Sequence, residues 1–296
     1  MIGLEGIYFM MPTPFDDKYR VEYDSIPTLV ELAVKAGCQG IVCLGVMGEA
    51  SRLSDSERKL MLESVIKEVK GRLIVVTGAN SAGTDITIQR CIEAAELGAT
   101  ALMLTPVPIP KQNLSAIFNF YKAVTSAIKL PIVVQDYPKE SNVFMPSDFI
   151  SLLHHELEMA QYLKLEDPPT PPKVTAIKNL TEGKMGIFGG LGGVFLLEEL
   201  KRGACGTMTG FAYPEILVSV HKHMSAGEEE QAAEVFFRYL PLIRYEAQEG
   251  IGLSLRKEVL KRRGMLRHAN VRHPGIEIDE VTRQELFRLL HTMKLA

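Results

Sequence analysis

Residues 33–43 read AVKAGCQGIVC, residues 95–104 read AELGATALML, and residues 200–208 read LKRGACGTM. In each stretch an amphipathic helix ends at a glycine, and a short apolar strand begins within about three residues of it. Glycine suits this joint because it takes the left-handed conformation that closes a helix without a steric penalty. The repeated joint predicts a chain in which helices lead directly into strands.

The strands of this pattern are short apolar runs in which polar and apolar residues do not alternate. Such runs are typical of parallel strands, which are covered on both faces. They recur about every 30 residues, the length of a βαβ unit, between residues 3 and 210. We expect seven strands, followed by an eighth after the joint at residues 200–208. The seven lie at residues 7–11, 41–44, 73–76, 102–104, 132–134, 163–165 and 186–188.

Eight such units without a long insertion favour an α/β fold of the closed (β/α)8 TIM barrel type over an open doubly wound sheet. The first strand also lacks the G-x-G-x-x-G turn of a dinucleotide-binding sheet, because residues 11–14 read MPTP. After about residue 213 the pattern contains only helices, at residues 228–246, 253–263 and 280–293. We predict a barrel over residues 1–213 and a C-terminal helical extension, residues 214–296, packed on it.

Composition and charge limit the classes of function. The chain has 296 residues, with 33 Lys+Arg, 36 Asp+Glu and a formal charge of −3. Both signs are spread along the chain, which gives no basic stripe for nucleic acid. The densest basic run, Lys257, Lys261, Arg262 and Arg263, is expected to be a solvated helix face. No stretch has the roughly 18 apolar residues of a membrane span, and no secretion signal is apparent. We expect a cytoplasmic protein without nucleic-acid or membrane partners.

One lysine stands out at the end of a barrel strand, where the active sites of such barrels lie. Lys164 interrupts the apolar strand YLKL at residues 162–165. Burying its ammonium is costly unless the group is paired or its pKa falls. A lysine made partly neutral by burial is a nucleophile that forms Schiff bases with carbonyls. The alternative is a salt bridge to Glu49, Asp136 or Glu166, and spacing alone does not decide between them. Glu166 faces the same side as Lys164, which counts against the nucleophile.

The chain resembles the dihydrodipicolinate synthase and N-acetylneuraminate lyase family of class I aldolases over essentially its full length. The resemblance rests on the PTPF start at residues 12–15, the G-x-x-G-E loop at residues 45–49 and the proline segment after strand five. The lysine of strand six and the Gly-Ala-x-Gly joint before strand eight complete it. The resemblance implies a Schiff-base barrel that acts on a small 2-keto acid such as pyruvate, needs no cofactor and forms a homotetramer. It also implies that Lys164 is the Schiff-base residue.

The sequence departs from the family pattern around the expected site. Val46 and Met47 stand where the family usually has two threonines, so only their backbone N–H groups could hold a carboxylate. Gln135 occupies the position of the family's catalytic tyrosine, and Tyr137, on the same side of the strand, could supply a phenol instead. Glu140 lies near the place of the arginine that binds the synthase's second substrate. These departures argue against dihydrodipicolinate synthase-like condensation.

Three short motifs resemble the 2-keto-3-deoxy sugar-acid dehydratase branch of the family. They are Gln-Asp-x-Pro at residues 135–138, Lys-x-Glu at residues 164–166 and Met-Thr-Gly at residues 208–210. The resemblance implies a lyase in which the imine at C2 acidifies C3, a base removes that proton, and the C4 hydroxyl leaves as water. Aldol cleavage that releases pyruvate is the other outcome. The sequence does not rank the acid and base candidates, which are Tyr137, a water held by Gln135, Glu49 and Thr209.

We therefore predict that the catalytic residues are Lys164, Tyr137 and Gln135. The predicted substrate-binding residues are Val46, Met47, Gly48, Glu49, Thr209, Gly206 and Gly189. No metal site is predicted, but two competing hypotheses stay open. One is a metal-dependent aldolase, because four acidic residues near strand ends could bind Mg²⁺. These residues are Glu49, Asp136, Glu166 and Asp167. The other is a keto-acid-binding barrel that has lost catalysis with the missing hydroxyls.

Overall fold

The computed structural model describes residues 3–295. Eight parallel strands form a closed barrel, in which each strand pairs with the next and the last pairs with the first. The strands are β1 (Gly6–Met10), β2 (Gly40–Cys43), β3 (Ile74–Gly78), β4 (Ala101–Leu104), β5 (Ile132–Asp136), β6 (Tyr162–Leu165), β7 (Gly186–Gly189) and β8 (Gly206–Thr209). The predicted (β/α)8 barrel is confirmed, and every predicted strand is present with its ends shifted by at most two residues.

Helices follow the strands and form a ring around the barrel. They are α1 (Ile26–Ala36), α2 (Asp55–Val69), α3 (Thr84–Leu97), α4 (Leu114–Ala127), the single turn α5 (Pro138–Ser141), α6 (Ser147–Glu156), α7 (Thr170–Leu180), α8 (Leu196–Lys201) and α9 (Pro214–Ser225). The predicted helix-closing glycines are present: Gly37 ends α1 with φ of 78°, and Gly98 ends α3 with φ of 101°. Among residues 3–295, no helix is both long and apolar enough to cross a membrane.

The predicted boundary at residue 213 falls immediately before α9, which contacts both the barrel and the helix that follows it. Helix α9 contacts α1, α8 and β1, so it closes the ring between α8 and α1, and it also packs against the helix that follows it. Three further helices follow it, α10 (Glu229–Glu246), α11 (Gly252–Arg262) and α12 (Glu280–Thr292). The sequence pattern does not show that α9 packs on both sides, because no strand follows α9 to mark the end of the barrel.

Alternate residues of each strand fill the barrel interior, as the period of two requires. Tyr8 and Met10 of β1, Val133 of β5 and Phe188 of β7 belong to the same interior cluster. The strand register places Lys164 of β6 beside Gln135 of β5 on one side and beside Phe188 on the other. The polar residues at this level therefore lie against a packed apolar layer, at the end of the barrel where the strands have their C-terminal ends.

Candidate active site

A pocket of about 580 Å³ lies at the C-terminal ends of the strands, where barrel enzymes place their active sites. Residues from β5 and β6 line its inner part, and the loop after β2 forms one wall. The end of α10 and the beginning of α11 contribute Glu246 and Arg256. The C-terminal extension is thus part of the pocket and not only a cover for the barrel.

Lys164 lies in the inner part of this pocket with only 3% of its side chain exposed. Its Nζ is 2.9 Å from Glu166 Oε2 and 3.1 Å from Met10 Sδ. Gln135 Nε2 donates to the same oxygen of Glu166 at 2.6 Å. Leu191 N donates to the other carboxylate oxygen at 3.2 Å. Lys164, Glu166 and Gln135 therefore form one connected polar group on the apolar layer.

This arrangement decides which acidic residue is the partner of Lys164. Of the three residues considered from the sequence, Glu166 makes the contact, whereas Glu49 and Asp136 pair with other lysines. A carboxylate in direct contact with an ammonium is also correctly placed to accept its proton, which leaves a free amine facing the pocket. The ion pair with Glu166 is therefore compatible with Lys164 acting as the nucleophile.

Tyr137 lines the pocket two residues beyond Gln135. Burial and the nearby Glu166, Glu140 and Glu249 carboxylates raise its pKa to about 12. The phenol is therefore protonated at neutral pH and can act as a hydrogen-bond donor or a weak acid. Thr209 also lines the pocket, although its hydroxyl oxygen accepts a hydrogen bond from Phe211 N at 3.3 Å.

Glu49 is buried and fixes the loop after β2. Lys257 Nζ is 2.6 Å from Oε1, while Arg52 Nη1 and Arg272 N each donate to Oε2 at 2.9 Å. With both oxygens engaged by protein donors, Glu49 holds the loop and is poorly placed to act as an acid or base. The expectation that the basic run at residues 257–263 is a solvated face is wrong for Lys257, which is fully buried. A charge pattern on a helix does not show which lysine meets a buried acid.

Four of the predicted substrate-binding residues, Val46, Met47, Glu49 and Thr209, line the pocket. Gly48 lies in the same loop but is not among the lining residues, and its carbonyl accepts a hydrogen bond from Thr13 Oγ1 at 2.6 Å.

The other two predicted glycines serve packing. Gly206 is the first residue of β8, at the opposite end of the barrel, where an added Cβ would lie 1.8 Å from Gly6 O. Gly189 ends β7, and a Cβ there would lie 1.8 Å from Glu199 Oε2, in the layer behind the strand. Neither glycine lines the pocket, and a glycine beside a strand end can equally permit close packing.

The acidic residues of the metal hypothesis do not converge. Lys173 Nζ bridges Asp136 at 2.7 Å and Asp167 at 2.8 Å, whereas Glu49 and Glu166 pair with separate lysines. Among residues 3–295, no group of three or more His, Cys, Asp or Glu side chains could hold a metal ion. These carboxylates are arranged as ion pairs and not as a ligand set.

Sequence reasoning missed Arg256 and Glu246 in the pocket wall. Burial raises the pKa of Glu246 to about 7 and lowers that of Arg256, while the charges of Glu246, Glu166 and Tyr137 oppose the fall. Both residues belong to helices whose periodicity predicts only packing. No sequence signal identifies them, because their role depends on where the extension meets the barrel.

Comparisons with known proteins identify the family and agree with the barrel fold. The model of the dihydrodipicolinate synthetase family matches residues 3–293. L-2-keto-3-deoxyarabonate dehydratase of Azospirillum brasilense is 28% identical over 291 residues, 96% of this chain and 93% of that protein. 4-hydroxy-tetrahydrodipicolinate synthase of Anaplasma marginale is 24% identical over 293 residues, 99% and 96% of the two chains. The crystal structure of dihydrodipicolinate synthase from Rhodopseudomonas palustris is 34% identical, with a TM-score of 0.92 over 97% of each chain.

Proposed function

The chain belongs to the dihydrodipicolinate synthetase family, and from that premise we propose that Lys164 forms a Schiff base with a 2-keto-3-deoxy sugar acid, which the enzyme then dehydrates. The family and its dehydratase member make the chain a lyase of the class I aldolase type that acts on small keto acids. The proposed Schiff base and dehydration rest on the buried group of Lys164, Glu166 and Gln135 in the pocket.

Imine formation requires proton transfers that Glu166 can perform. Glu166 accepts a proton from the Lys164 ammonium, and the freed amine adds to the C2 carbonyl. The resulting carbinolamine loses its hydroxyl as water when Glu166 returns the proton, which gives an iminium and restores the carboxylate. Gln135 donates to Glu166 at 2.6 Å and thereby orients it for both transfers.

The same carboxylate can carry the elimination. The iminium acidifies C3, Glu166 removes a C3 proton to give the enamine, and the C4 hydroxyl leaves as water with that proton. The product of this step is an iminium conjugated to a C3–C4 double bond, and its hydrolysis frees Lys164. Tyr137 lines the pocket with a protonated phenol, which can donate a hydrogen bond to the departing hydroxyl.

Two observations favour dehydration over condensation with a second substrate. The relative from Azospirillum brasilense is a dehydratase of a 2-keto-3-deoxy acid, and the match covers nearly all of both proteins. Glu140 also lines the pocket, so its carboxylate would repel an anionic second substrate at that point. Cleavage of the C3–C4 bond to release pyruvate remains the alternative outcome of the same imine.

Trapping with borohydride tests the Schiff base directly. The wild-type protein is incubated with pyruvate and borohydride, and intact mass and peptide mapping locate any reduced adduct. We expect one adduct per chain on Lys164 and none in the Lys164→Ala variant. Lys139→Ala is the matched control, because Lys139 also lines the pocket but is half-exposed and paired with Glu249.

Turnover is measured with a panel of 2-keto-3-deoxy acids that differ in length and in C4 configuration. Lys164→Ala should fold normally and lose turnover, and retained activity would refute the mechanism. Release of pyruvate instead of a dehydrated acid would assign the aldolase outcome. The absence of both adduct and turnover across the panel would leave a binding protein.

The quaternary state is part of the same proposal. The family resemblance implies a homotetramer, with a mass four times that of the 32.8 kDa chain. Light scattering after size-exclusion chromatography measures it, and a monomeric mass would refute this part of the proposal alone.

A further inference from the structure

The proposed chemistry leaves one buried cation of the pocket unused. Arg256 extends from α11 into the pocket wall with 9% of its side chain exposed. Its Nη1 donates to Met47 Sδ at 3.0 Å, and a thioether is a weak acceptor. Its Nε is buried without a partner among residues 3–295. A guanidinium has five N–H donors in a fixed plane. Within the described residues this one makes a hydrogen bond only from Nη1, so its other donors have no acceptor.

The nearest acid does not satisfy Arg256. Glu246 Oε2 lies 3.7 Å from Arg256 Nε, beyond hydrogen-bond distance, and instead accepts from Ala212 N at 3.1 Å. Glu246 Oε1 is buried without a hydrogen-bond partner within the described chain. The pair therefore balances charge without using the directional donors of the arginine.

Other buried cations of the chain are paired differently. Lys257 donates to Glu49, Thr13 O and Asn270 O at distances of 2.6–2.8 Å. Arg58 donates to two backbone carbonyls, at 2.9 and 3.1 Å. A buried polar group normally has such partners because leaving it unpaired is costly. Arg256 departs from this rule in the pocket wall, where a ligand could supply acceptors to its Nη atoms.

Two glycines in the surrounding loops leave room for this side chain. A Cβ at Gly192, in the loop after β7, would lie 2.7 Å from Arg256 Nη2. A Cβ at Gly210, after β8, would lie 3.7 Å from Arg256 Cδ and 3.1 Å from Met47 Cε. The guanidinium thus sits between three active-site loops and directly beside Met47.

We infer that Arg256 binds the 1-carboxylate of the 2-keto acid substrate, in place of the side-chain hydroxyls that Val46 and Met47 do not supply. The inference rests on the proposed keto-acid function. Guanidinium and carboxylate match in shape and charge, and the pairing forms two parallel hydrogen bonds. The contact with Met47 places the guanidinium against the loop whose backbone N–H groups are expected to hold the same carboxylate. Met47 is flexible and can leave Nη1 free when the substrate arrives.

The experiment compares pyruvate with methyl pyruvate, which has the same keto group but no negative charge. The concentration that gives half-maximal borohydride trapping is measured for the wild type and for Arg256→Met. For pyruvate it should rise about tenfold to a hundredfold in the variant, the range expected for lost charge-assisted hydrogen bonds. For methyl pyruvate it should change by less than about twofold. Arg262→Met, which removes an exposed arginine from the same helix, should change neither value.

Two further variants keep the inference falsifiable if Arg256→Met folds poorly. Arg256→Lys retains the charge without the fork, so its effect on pyruvate should be smaller than that of Arg256→Met. Met47→Thr restores a hydroxyl to the loop, and in the Arg256→Met background it should recover part of the affinity for pyruvate but none for methyl pyruvate. Circular dichroism and thermal melting verify folding in each case.

Calorimetry of pyruvate binding to Lys164→Ala, with and without Arg256→Met, separates this inference from the Schiff base. If the wild type forms no adduct but Arg256→Met still abolishes binding, the Schiff base fails and the inference stands. If trapping of pyruvate is unchanged by Arg256→Met, the inference is overturned while the Schiff base stands. An effect confined to substrates with a second, distal carboxylate would also overturn it, because it would assign Arg256 to the other end of the substrate.

Discussion

The replacement Glu199→Gln tests how a buried carboxyl group makes the stability of this barrel depend on pH. Glu199 is 1% exposed, its Oε1 accepts from Thr170 Oγ1 at 2.5 Å, and its Oε2 has no partner among the described residues. Burial raises its pKa to about 7, and the charges of Glu198 and Glu166 add to the effect. Because the folded pKa exceeds the unfolded value, the contribution of this group to stability is complete below pH 4.5. It is lost as the pH rises towards 7.

The size of the effect follows from the pKa difference. A rise from 4.5 to about 7 corresponds to roughly 3 kcal/mol of stability lost by pH 8, of which about 2 kcal/mol is lost between pH 5 and pH 8. The uncharged Glu199→Gln side chain does not incur this loss. Its free energy of unfolding relative to the wild type should therefore improve by about 2 kcal/mol from pH 5 to pH 8, or about 5 °C in Tm.

Urea unfolding at a series of pH values measures this difference, with Glu198→Gln as the control because Glu198 is the exposed neighbour of Glu199. The control should show no comparable pH dependence. A stability difference between Glu199→Gln and the wild type that is the same at pH 5 and pH 8 would refute the reasoning, even if the variant were more stable at both.

Two further predictions concern the residues that hold the barrel and its loops. Lys257→Met should lower the free energy of unfolding, measured in urea titrations, by about 3–5 kcal/mol, because it leaves the buried Glu49 without its closest cation. Lys261 is exposed on the same helix, so the control Lys261→Met should change this free energy by less than about 0.5 kcal/mol. Gly206→Ala should destabilise the fold by about 3 kcal/mol or more, because residue 206 has a φ of 156° and its added Cβ would collide with Gly6 O. Gly3→Ala is the control, because Gly3 has open space around it. A stable Gly206→Ala variant with weakened substrate binding would instead restore Gly206 to the site.

The sequence predicts the barrel well because its signals are local and repeated. Each helix-closing glycine and each apolar run acts within a few residues, and the eight units confirm one another. Lys164 is predictable for a related reason, since a lysine on an apolar strand conflicts with burial wherever the strand lies. The partner of Lys164 is not predictable in the same way, because three acids have suitable spacing and only the fold decides among them.

What the sequence cannot predict is concentrated in the C-terminal extension. Arg256 and Lys257 are adjacent in the chain, yet one faces the pocket and the other pairs with Glu49 behind the loop after β2. The contacts that tie them to the loop after β2 join residues more than 200 positions apart, Met47 with Arg256 and Glu49 with Lys257, at sequence separations of 209 and 208. Periodicity identifies a helix face, but it does not identify the surface that this face meets. The extension therefore contributes to the site through tertiary packing, and a barrel truncated before α10 should lose both the cation in the pocket and the support of the substrate-binding loop.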